Sequence, residues 1–126
     1  MIVENEELDI FIIKTIMAQC AFAKEVEVIT DVDTALIKLA NAKYLPDFIF
    51  LDINFPGKNG FELLKELKLM PDSVREVKVI VLTASLNKAD ELKAKQFKQV
   101  AGFLIKPLKH SDLNELKKQY NFITGR

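Results

Sequence analysis

Five short apolar runs alternate with five amphipathic segments along this chain, and no other feature of the sequence limits the possible folds as strongly. The longer runs are rich in valine, isoleucine and phenylalanine and lack a regular apolar–polar alternation. Such runs are typical of strands that are covered on both faces of a parallel sheet. The predicted strands are Ile2–Val3, Val26–Ile29, Phe48–Leu51, Val77–Leu82 and Val100–Ile105.

The segments between these runs predict helices, because their apolar residues recur at spacings of three and four. Asp31 and Asn87 can cap the second and fourth helices, Ser111 or Asp112 can cap the last, and the third should end near Pro71. The predicted inward-facing residues are Leu8, Ile12, Ile13, Ile16, Met17 and Cys20 in the first helix (6–20), Val32, Ala35, Leu36 and Leu39 in the second, Phe61, Leu64 and Leu67 in the third, Ala89, Leu92 and Phe97 in the fourth, and Leu113, Leu116 and Tyr120 in the last.

A strand–helix unit repeated five times predicts an α/β fold in which helices cover both faces of a parallel sheet. Right-handed crossovers leave few topologies, and a doubly wound sandwich fits best. The length of 126 residues is typical of one domain. In such sheets, ligands bind beyond the carboxyl ends of the strands, so the residues that follow each strand are the candidates for function.

Composition excludes several other functions. Eighteen basic residues balance eighteen acidic ones, so the net charge of zero gives no electrostatic reason to expect binding to nucleic acid or to an anionic membrane. Cys20 is the only cysteine, which rules out an internal disulfide and suits a reducing cytoplasm. No apolar run reaches the ~18 residues that a membrane span needs. We therefore expect a cytoplasmic protein with no membrane association and no direct nucleic acid binding.

Polar residues follow four of the five apolar runs at the point where each run ends: Glu4, Asp52, Thr83 and Lys106. Parallel strands bring their carboxyl ends to one edge, so two acids, a hydroxyl and a cation should meet there. Taken singly, each residue has an ordinary structural explanation, as a surface acid, a turn former or the end of a strand. Their joint placement favours a functional site.

This combination suits phosphoryl transfer. Two carboxylates ~5 Å apart repel by roughly 3 kcal/mol at an effective dielectric constant of ~20, and a divalent cation removes that cost. Mg²⁺ prefers oxygen ligands, and a carboxylate can attack phosphorus to form an aspartyl phosphate. Asp52 is the best candidate for the nucleophile, because its strand looks the most buried and its loop carries Gly57 and Gly60, which allow close approach of the backbone to a ligand.

The chain resembles the receiver domains of two-component response regulators. The resemblance covers nearly the whole length and rests on LDINFPGKNGFELL (51–64), VIVLTAS (79–85) and FLIKP (103–107), in that order. It implies a flavodoxin-like (βα)5 fold, with a doubly wound sheet of five parallel strands in the order 2-1-3-4-5 and five helices. It also implies that residues 1–126 form a single receiver domain, with no output domain in this chain.

The resemblance further implies a role for each matching residue. Asp52 corresponds to the phosphoacceptor, and Gly60 to the glycine that opens the third helix. The Mg²⁺ site would comprise Glu4, Asn5, Asp52 and the backbone carbonyl of Asn54. The residues that bind the phosphoryl group, or switch with it, would be Thr83, Ala84, Lys106 and Phe103. The bond between Lys106 and Pro107 would be a cis peptide.

The implied function is that of a phosphoacceptor. A histidine kinase or a histidine phosphotransfer protein would donate a phosphoryl group to Asp52 with Mg²⁺ as cofactor. The surface formed by the fourth helix, the fifth strand and the fifth helix would then change and signal to an unknown downstream protein. The chain would catalyse only its own phosphorylation and dephosphorylation, so it would not be an enzyme in the usual sense.

One departure from the family pattern keeps an alternative open. Two adjacent acids usually follow the first strand, whereas this chain has Glu4 and then Asn5. An amide oxygen can bind Mg²⁺ but brings no charge, so the metal should bind more weakly. A degenerate receiver that acts as an interaction module without phosphate is therefore the second hypothesis.

Two further classes share parts of the pattern. Phosphatases of the haloacid dehalogenase type also present Asp, Thr or Ser, and Lys in this order, but they need a second acid where this chain has Asn54, and further acids beyond the lysine. A flavodoxin-like cofactor binder would need a phosphate-binding loop after the first strand, where the acidic segment 4–8 would repel phosphate.

Overall fold

The computed structural model describes residues 1–54 and 59–120, which form one parallel sheet with helices on both faces. The strands are β1 (Ile2–Val3), β2 (Val28–Ile29), β3 (Phe48–Asp52), β4 (Lys78–Thr83) and β5 (Val100–Ile105). The helices are α1 (Glu7–Gln19), α2 (Val32–Ala40), α3 (Gly60–Leu67), α4 (Asp72–Arg75), α5 (Lys88–Lys95) and α6 (His110–Gln119). None of these helices is long and apolar enough to cross a membrane.

The sheet has the strand order β2-β1-β3-β4-β5, which confirms the predicted topology. The described chain contains six helices rather than the predicted five. The additional helix, α4, is a single turn that starts directly after Pro71. Proline fixes φ near the helical value and needs no partner for a backbone N–H, so it begins a new turn here instead of only ending α3. The buried side chain of Val74 holds this turn against the core.

Two apolar clusters sandwich the sheet. Side chains of α1 and α6 form one layer, which includes Ile13, Met17, Leu113 and Leu116. Side chains of α2, α3 and α5 form the other layer. Every residue of β3 is buried, which is the reason its sequence shows no alternation.

The inner face of α1 matches the prediction at Ile13, Ile16, Met17 and Cys20 and differs from it at Leu8. Leu8 is 62% exposed, whereas Ile13 and Met17 are buried, and Ile16 and Cys20 pack at the edge of the same cluster. The buried face therefore follows a row from Ile13 to Met17, rotated away from Leu8. The same row begins one turn earlier at Asp9, so this rotation places Asp9 on the inner face together with Ile13 and Met17.

The two last helices also differ from prediction in detail. In α5, the predicted inward residues Ala89 and Leu92 are exposed, and Ala94 is the buried residue. In α6, the N-cap is Lys109, not Ser111 or Asp112. The carboxylate of Asp112 still stabilises this end, because it accepts a hydrogen bond from the Lys109 backbone N–H at 2.9 Å. Asp31 and Asn87 cap α2 and α5 as predicted.

Candidate functional site

The register of the sheet brings the four predicted strand-end residues together. Val3 pairs with Leu51, so Glu4 and Asp52 follow at the same level of neighbouring strands. Asp52 itself pairs with Leu82, which places Thr83 one residue further out. Thr83 pairs with Ile105, and the Lys106 N–H donates to the Thr83 carbonyl at 2.8 Å. Two acids, a hydroxyl and an ammonium thus share one edge of the sheet.

The pleat divides these residues between the two faces. Side chains alternate along a strand, so Asp52 points to the same face as Phe50, which packs in the α1–α6 layer. By the same rule, Glu4 follows Ile2 and Lys106 follows Leu104 to that face, whereas Thr83 follows Val81 to the opposite one. The carboxylates and the ammonium are therefore grouped beside α1, and the hydroxyl approaches from the other side.

Burial distinguishes this edge from the rest of the described chain. Glu4, Asp52 and Thr83 are the only buried polar or charged residues within residues 1–54 and 59–120. Burying a charge is costly unless it is paired, so these side chains need partners. The partner of the acids is Lys106, whose Nζ lies 2.5 Å from Glu4 Oε1 and 3.3 Å from Asp52 Oδ2.

Asp9 also contacts Lys106, and the sequence analysis missed it. Its Oδ2 accepts a hydrogen bond from Lys106 Nζ at 2.9 Å. Asp9 lies in the first turn of α1, on the row that continues through the buried residues Ile13 and Met17. An acid on the buried row of a helix was the signal that could have revealed it. The sequence analysis placed both the Leu8 row and this row inside, and therefore did not single out Asp9.

Burial and close contacts among charged groups both perturb the pKa values of this site. Burial, together with the hydrogen bond to Asp52, raises the pKa of Glu4 from 4.5 to about 7, although Lys106 opposes this shift. Burial alone would lower the pKa of Lys106, but hydrogen bonds to Asp9 and Glu4 and the charge of Asp52 outweigh it and raise that pKa. The lysine is therefore firmly charged, while one carboxyl group holds a proton near neutral pH.

Asn54 forms hydrogen bonds with both Asp52 and Thr83. Its backbone N–H donates to Asp52 Oδ1 at 2.9 Å, and its side-chain Nδ2 donates to Thr83 Oγ1 at 3.2 Å. Thr83 Oγ1 also accepts a hydrogen bond from the Ser85 backbone N–H at 3.0 Å. The hydroxyl oxygen thus has two donors, and within the described residues its own proton has no acceptor. The contact between the Asn54 side chain and Thr83 was not predicted.

Gly60 fixes the start of α3 against the end of β3. A Cβ at this position would lie 2.7 Å from Ile53 Cα and 2.8 Å from the Asp52 carbonyl oxygen. Both are backbone atoms that cannot move without displacing the strand end, so the close approach requires glycine. Gly57, the other predicted loop glycine, lies outside the described residues.

The remaining predicted residues surround this centre. Asn5 is exposed, and its backbone N–H donates to Glu4 Oε2 at 3.1 Å. Ala84 is exposed beside Thr83. Phe103 is partly buried on β5, where it packs against the layer of α2, α3 and α5. The peptide bond between Lys106 and Pro107 is cis.

Comparison with known proteins places this arrangement in a family. The family model of the response regulator receiver domain matches residues 1–118. The chain belongs to this family. The match covers nearly all of the chain, so family membership argues against both the phosphatase and the flavodoxin-like cofactor binder.

Similar proteins share the fold over most of this receiver. A two-component response regulator from Legionella pneumophila is 31% identical, with a TM-score of 0.81 over 95% of both chains. The Mn²⁺-bound form of response regulator Rcp1, a protein of Synechocystis, is 26% identical, with a TM-score of 0.76 over 99% of this chain and 94% of that one. A probable methanogenesis regulatory protein, FilR2 of Methanothrix harundinacea, is 29% identical over 117 residues, which are 90% of this chain and 74% of that protein. This chain spans between 4% and 60% of the length of several other curated relatives.

The donor set of this receiver fits a hard divalent cation. Glu4 and Asp52 supply carboxylate oxygens. Burial is the main cause of the raised pKa of Glu4, so its ionised form is costly, and a cation would offset that cost. Among the described residues, no three His, Cys, Asp or Glu side chains form a ready cage around one point. Mg²⁺ keeps several waters and takes only one or two protein carboxylates, a number that Glu4 and Asp52 supply.

Proposed function

We propose that this receiver accepts a phosphoryl group on Asp52 in a two-component phosphorelay located in the cytoplasm. A histidine kinase or a histidine phosphotransfer protein would be the donor. The observation that carries the proposal is the pairing of buried Glu4 and Asp52 with Lys106, at 2.5 and 3.3 Å, on a sheet edge where phosphoryl chemistry needs an acid and a cation.

In the transfer step, a carboxylate oxygen of Asp52 attacks the phosphorus of a phosphohistidine. A new P–O bond forms while the P–N bond breaks, and the electron pair leaves with the imidazole nitrogen, which takes a proton from solvent. Lys106 neutralises charge on the phosphoryl oxygens, and Thr83 can donate its free proton to one of them. The backbone N–H of Asn54, already bonded to Asp52 Oδ1, orients the carboxylate for attack.

Glu4, Asp52, the backbone carbonyl of Asn54 and the amide oxygen of Asn5 are the groups that would hold Mg²⁺. When bound, the cation would offset the charge of the carboxylates and of the phosphoryl oxygens. The Mn²⁺-bound form of the similar Rcp1 protein supports a divalent cation at this edge. Asn5 brings no charge, so metal affinity should be lower than with an acid at that position.

Phosphorylation would be read on the surface of α5, β5 and α6, which we call the output face. Thr83 would leave Asn54 and Ser85 to reach the phosphoryl group, giving up two hydrogen bonds of about 1 kcal/mol each. Its movement opens space toward which the partly buried ring of Phe103 can turn. The exposed Leu92, at 65%, offers an apolar contact for an unknown downstream protein on this face.

Phosphorylation by a small donor tests this proposal. Incubation with acetyl phosphate and Mg²⁺ should add one phosphoryl group, observed by intact-mass spectrometry, and Asp52→Asn should abolish the adduct. Asp47→Asn is the matched control, because it makes the same substitution at the exposed residue just before β3, at the opposite end of that strand. It should leave the adduct unchanged.

The alternative of a degenerate receiver rests on Asn5, where an exposed amide stands in place of an acid. If neither wild type nor an Asn5→Asp variant gains a phosphoryl group at millimolar Mg²⁺, phosphoacceptor function is wrong and the phosphate-independent interaction module is supported. If only the Asn5→Asp variant is modified, metal binding is the step that this receiver lacks.

A further inference from the structure

Lys106 is held by three carboxylates rather than by the strand-end acids alone. Its Nζ lies 2.5 Å from Glu4 Oε1, 2.9 Å from Asp9 Oδ2 and 3.3 Å from Asp52 Oδ2. An ammonium has three N–H groups, so each can point to one of these acids. Glu4 and Asp52 are the carboxylates assigned to Mg²⁺ above. Asp9 is different, because it reaches the lysine from helix α1 and belongs to no strand end.

We propose that Asp9 is a positioning residue, which holds the Lys106 ammonium beside the site and restores the negative charge that Asn5 does not supply. The inference rests on the proposed function, since it concerns the lysine and the metal of the same site. When all three acids are ionised, Glu4, Asp9, Asp52 and Lys106 together carry two negative charges. An acid at position 5 with a neutral residue at position 9 would give the same total.

The local structure argues that Asp9 is there for the lysine. The N-terminus of α1 is already capped by Glu6, whose Oε1 accepts from the Leu8 backbone N–H at 3.0 Å. Asp9 is therefore not needed as the cap. Its side chain is 28% exposed and that of Lys106 is 12% exposed, so the pair is partly screened from solvent and more effective than a surface ion pair. The hydrogen bond to Asp9 is also the first of the contacts that raise the pKa of Lys106.

In this arrangement, the carboxylates serve two different cations, the Lys106 ammonium and the proposed Mg²⁺. Mg²⁺ needs the oxygens of Glu4 and Asp52, which Lys106 also contacts. Asp9 gives the ammonium a partner that the metal does not use. Without Asp9, Lys106 has only the two metal-binding carboxylates left and competes with Mg²⁺ for both. Asp9→Asn should therefore weaken Mg²⁺ binding, roughly tenfold, the low end of the effects seen for groups outside the first coordination shell.

A double-mutant cycle tests whether Asp9 acts through the lysine. Mg²⁺ dissociation constants are measured by NMR titration for wild type, Asp9→Asn, Lys106→Met and the double variant. We expect a roughly tenfold weakening from Asp9→Asn in the wild-type background and at most about twofold in the Lys106→Met background. Asp9→Glu should recover part of the affinity, because it keeps the carboxylate.

Glu7→Gln is the matched control, because it removes one exposed acid from the same first turn of α1. It should leave Mg²⁺ binding within about twofold of wild type, since an exposed charge is screened by salt. If Asp9→Asn weakens binding equally in both lysine backgrounds, or no more than Glu7→Gln does, Asp9 contributes only general charge and the proposal is wrong.

A metal-free measurement separates this inference from the proposed function. The ¹⁵Nζ resonance of Lys106 should be protected from exchange in wild type and in Glu7→Gln, and lost or broadened in Asp9→Asn. If wild type binds no Mg²⁺, the metal part of the proposed function fails, and this resonance still decides the positioning of the lysine. An unchanged Lys106 signal in Asp9→Asn overturns the inference, whatever the metal data show.

Discussion

Raising the pH of the metal-free protein should destabilise its fold through Glu4. Burial and the hydrogen bond to Asp52 raise the pKa of Glu4 from 4.5 to about 7 in the folded state. A carboxyl group with a raised folded-state pKa binds its proton more tightly in the folded state than in the unfolded chain. Its stabilising contribution is therefore complete below pH 4.5 and is lost as the pH rises through about 7.

The size of the pKa shift of Glu4 determines how much folding stability is lost as the pH rises. The pKa difference is worth about 1.4 kcal/mol for each unit, which gives a loss of about 3 kcal/mol once the pH is well above 7. Burial is the larger cause of this shift and the hydrogen bond to Asp52 the second, so the effect should disappear when Glu4 is removed and shrink when Asp52 is removed. A loss of this size is a large part of the roughly 5–15 kcal/mol by which a domain is stable.

Urea unfolding followed by circular dichroism between about pH 5 and pH 8, with EDTA present, measures this dependence. Wild type should lose about 2–3 kcal/mol relative to Glu4→Gln over that range. The comparison is needed because burial lowers the pKa of the Met1 amino group, which gives stability that rises with pH. Asp52→Asn should flatten the curve only in part, because the burial of Glu4 remains. Parallel curves for wild type and Glu4→Gln would refute a strained acid pair in the folded state.

The other predictions concern the hydroxyl and the glycine of the site. Thr83→Ala should still be phosphorylated by acetyl phosphate, but beryllofluoride should no longer shift the NMR signals of Phe103; a full shift in this variant would refute the relay through the hydroxyl. Gly60→Ala should destabilise the fold by about 1–3 kcal/mol, because its Cβ would overlap the backbone of Ile53, and urea unfolding measures this. Gly102→Ala is the control with a smaller expected loss, since its Cβ would meet only a side-chain methyl group at 3.2 Å; equal losses would contradict the backbone overlap.

Strands and their polar ends were predictable because their signals are local. Unbroken apolar runs mark buried parallel strands, and the residue after each run must lie at the common edge whatever the exact strand order. The alternation of the pleat then divides that edge, with Asp52 and Lys106 toward α1 and Thr83 on the opposite face. The strand order itself is not contained in these patterns, and it came from the resemblance.

The contact of Asp9 with the site was not predicted from the sequence, because it depends on how α1 is rotated about its axis. Leu8, Ile12 and Ile16 form a regular apolar row on α1, and so do Ile13 and Met17 beside it. Only the tertiary contacts decide between them, and they bury the second row while Leu8 remains 62% exposed. If α1 were rotated so that the Leu8 row faced the sheet, Asp9 would face the solvent instead of the site. Likewise, the one-turn helix after Pro71 is too short for periodicity to reveal.

The strand pairing that stabilises the sheet also places two acids, Glu4 and Asp52, side by side at its edge. β1 has only two residues, and its hydrogen bonds to β2 and β3 fix the register that sets Glu4 beside Asp52. Since both acids follow strands of the central sheet, they cannot separate without breaking these pairs. Lys106 offsets one of the three carboxylates around it and leaves two net negative charges when all three are ionised, so a bound proton or cation would stabilise this edge. The register that builds the sheet therefore also holds a costly acid pair at its edge, and under the proposed function the bound cation offsets that cost.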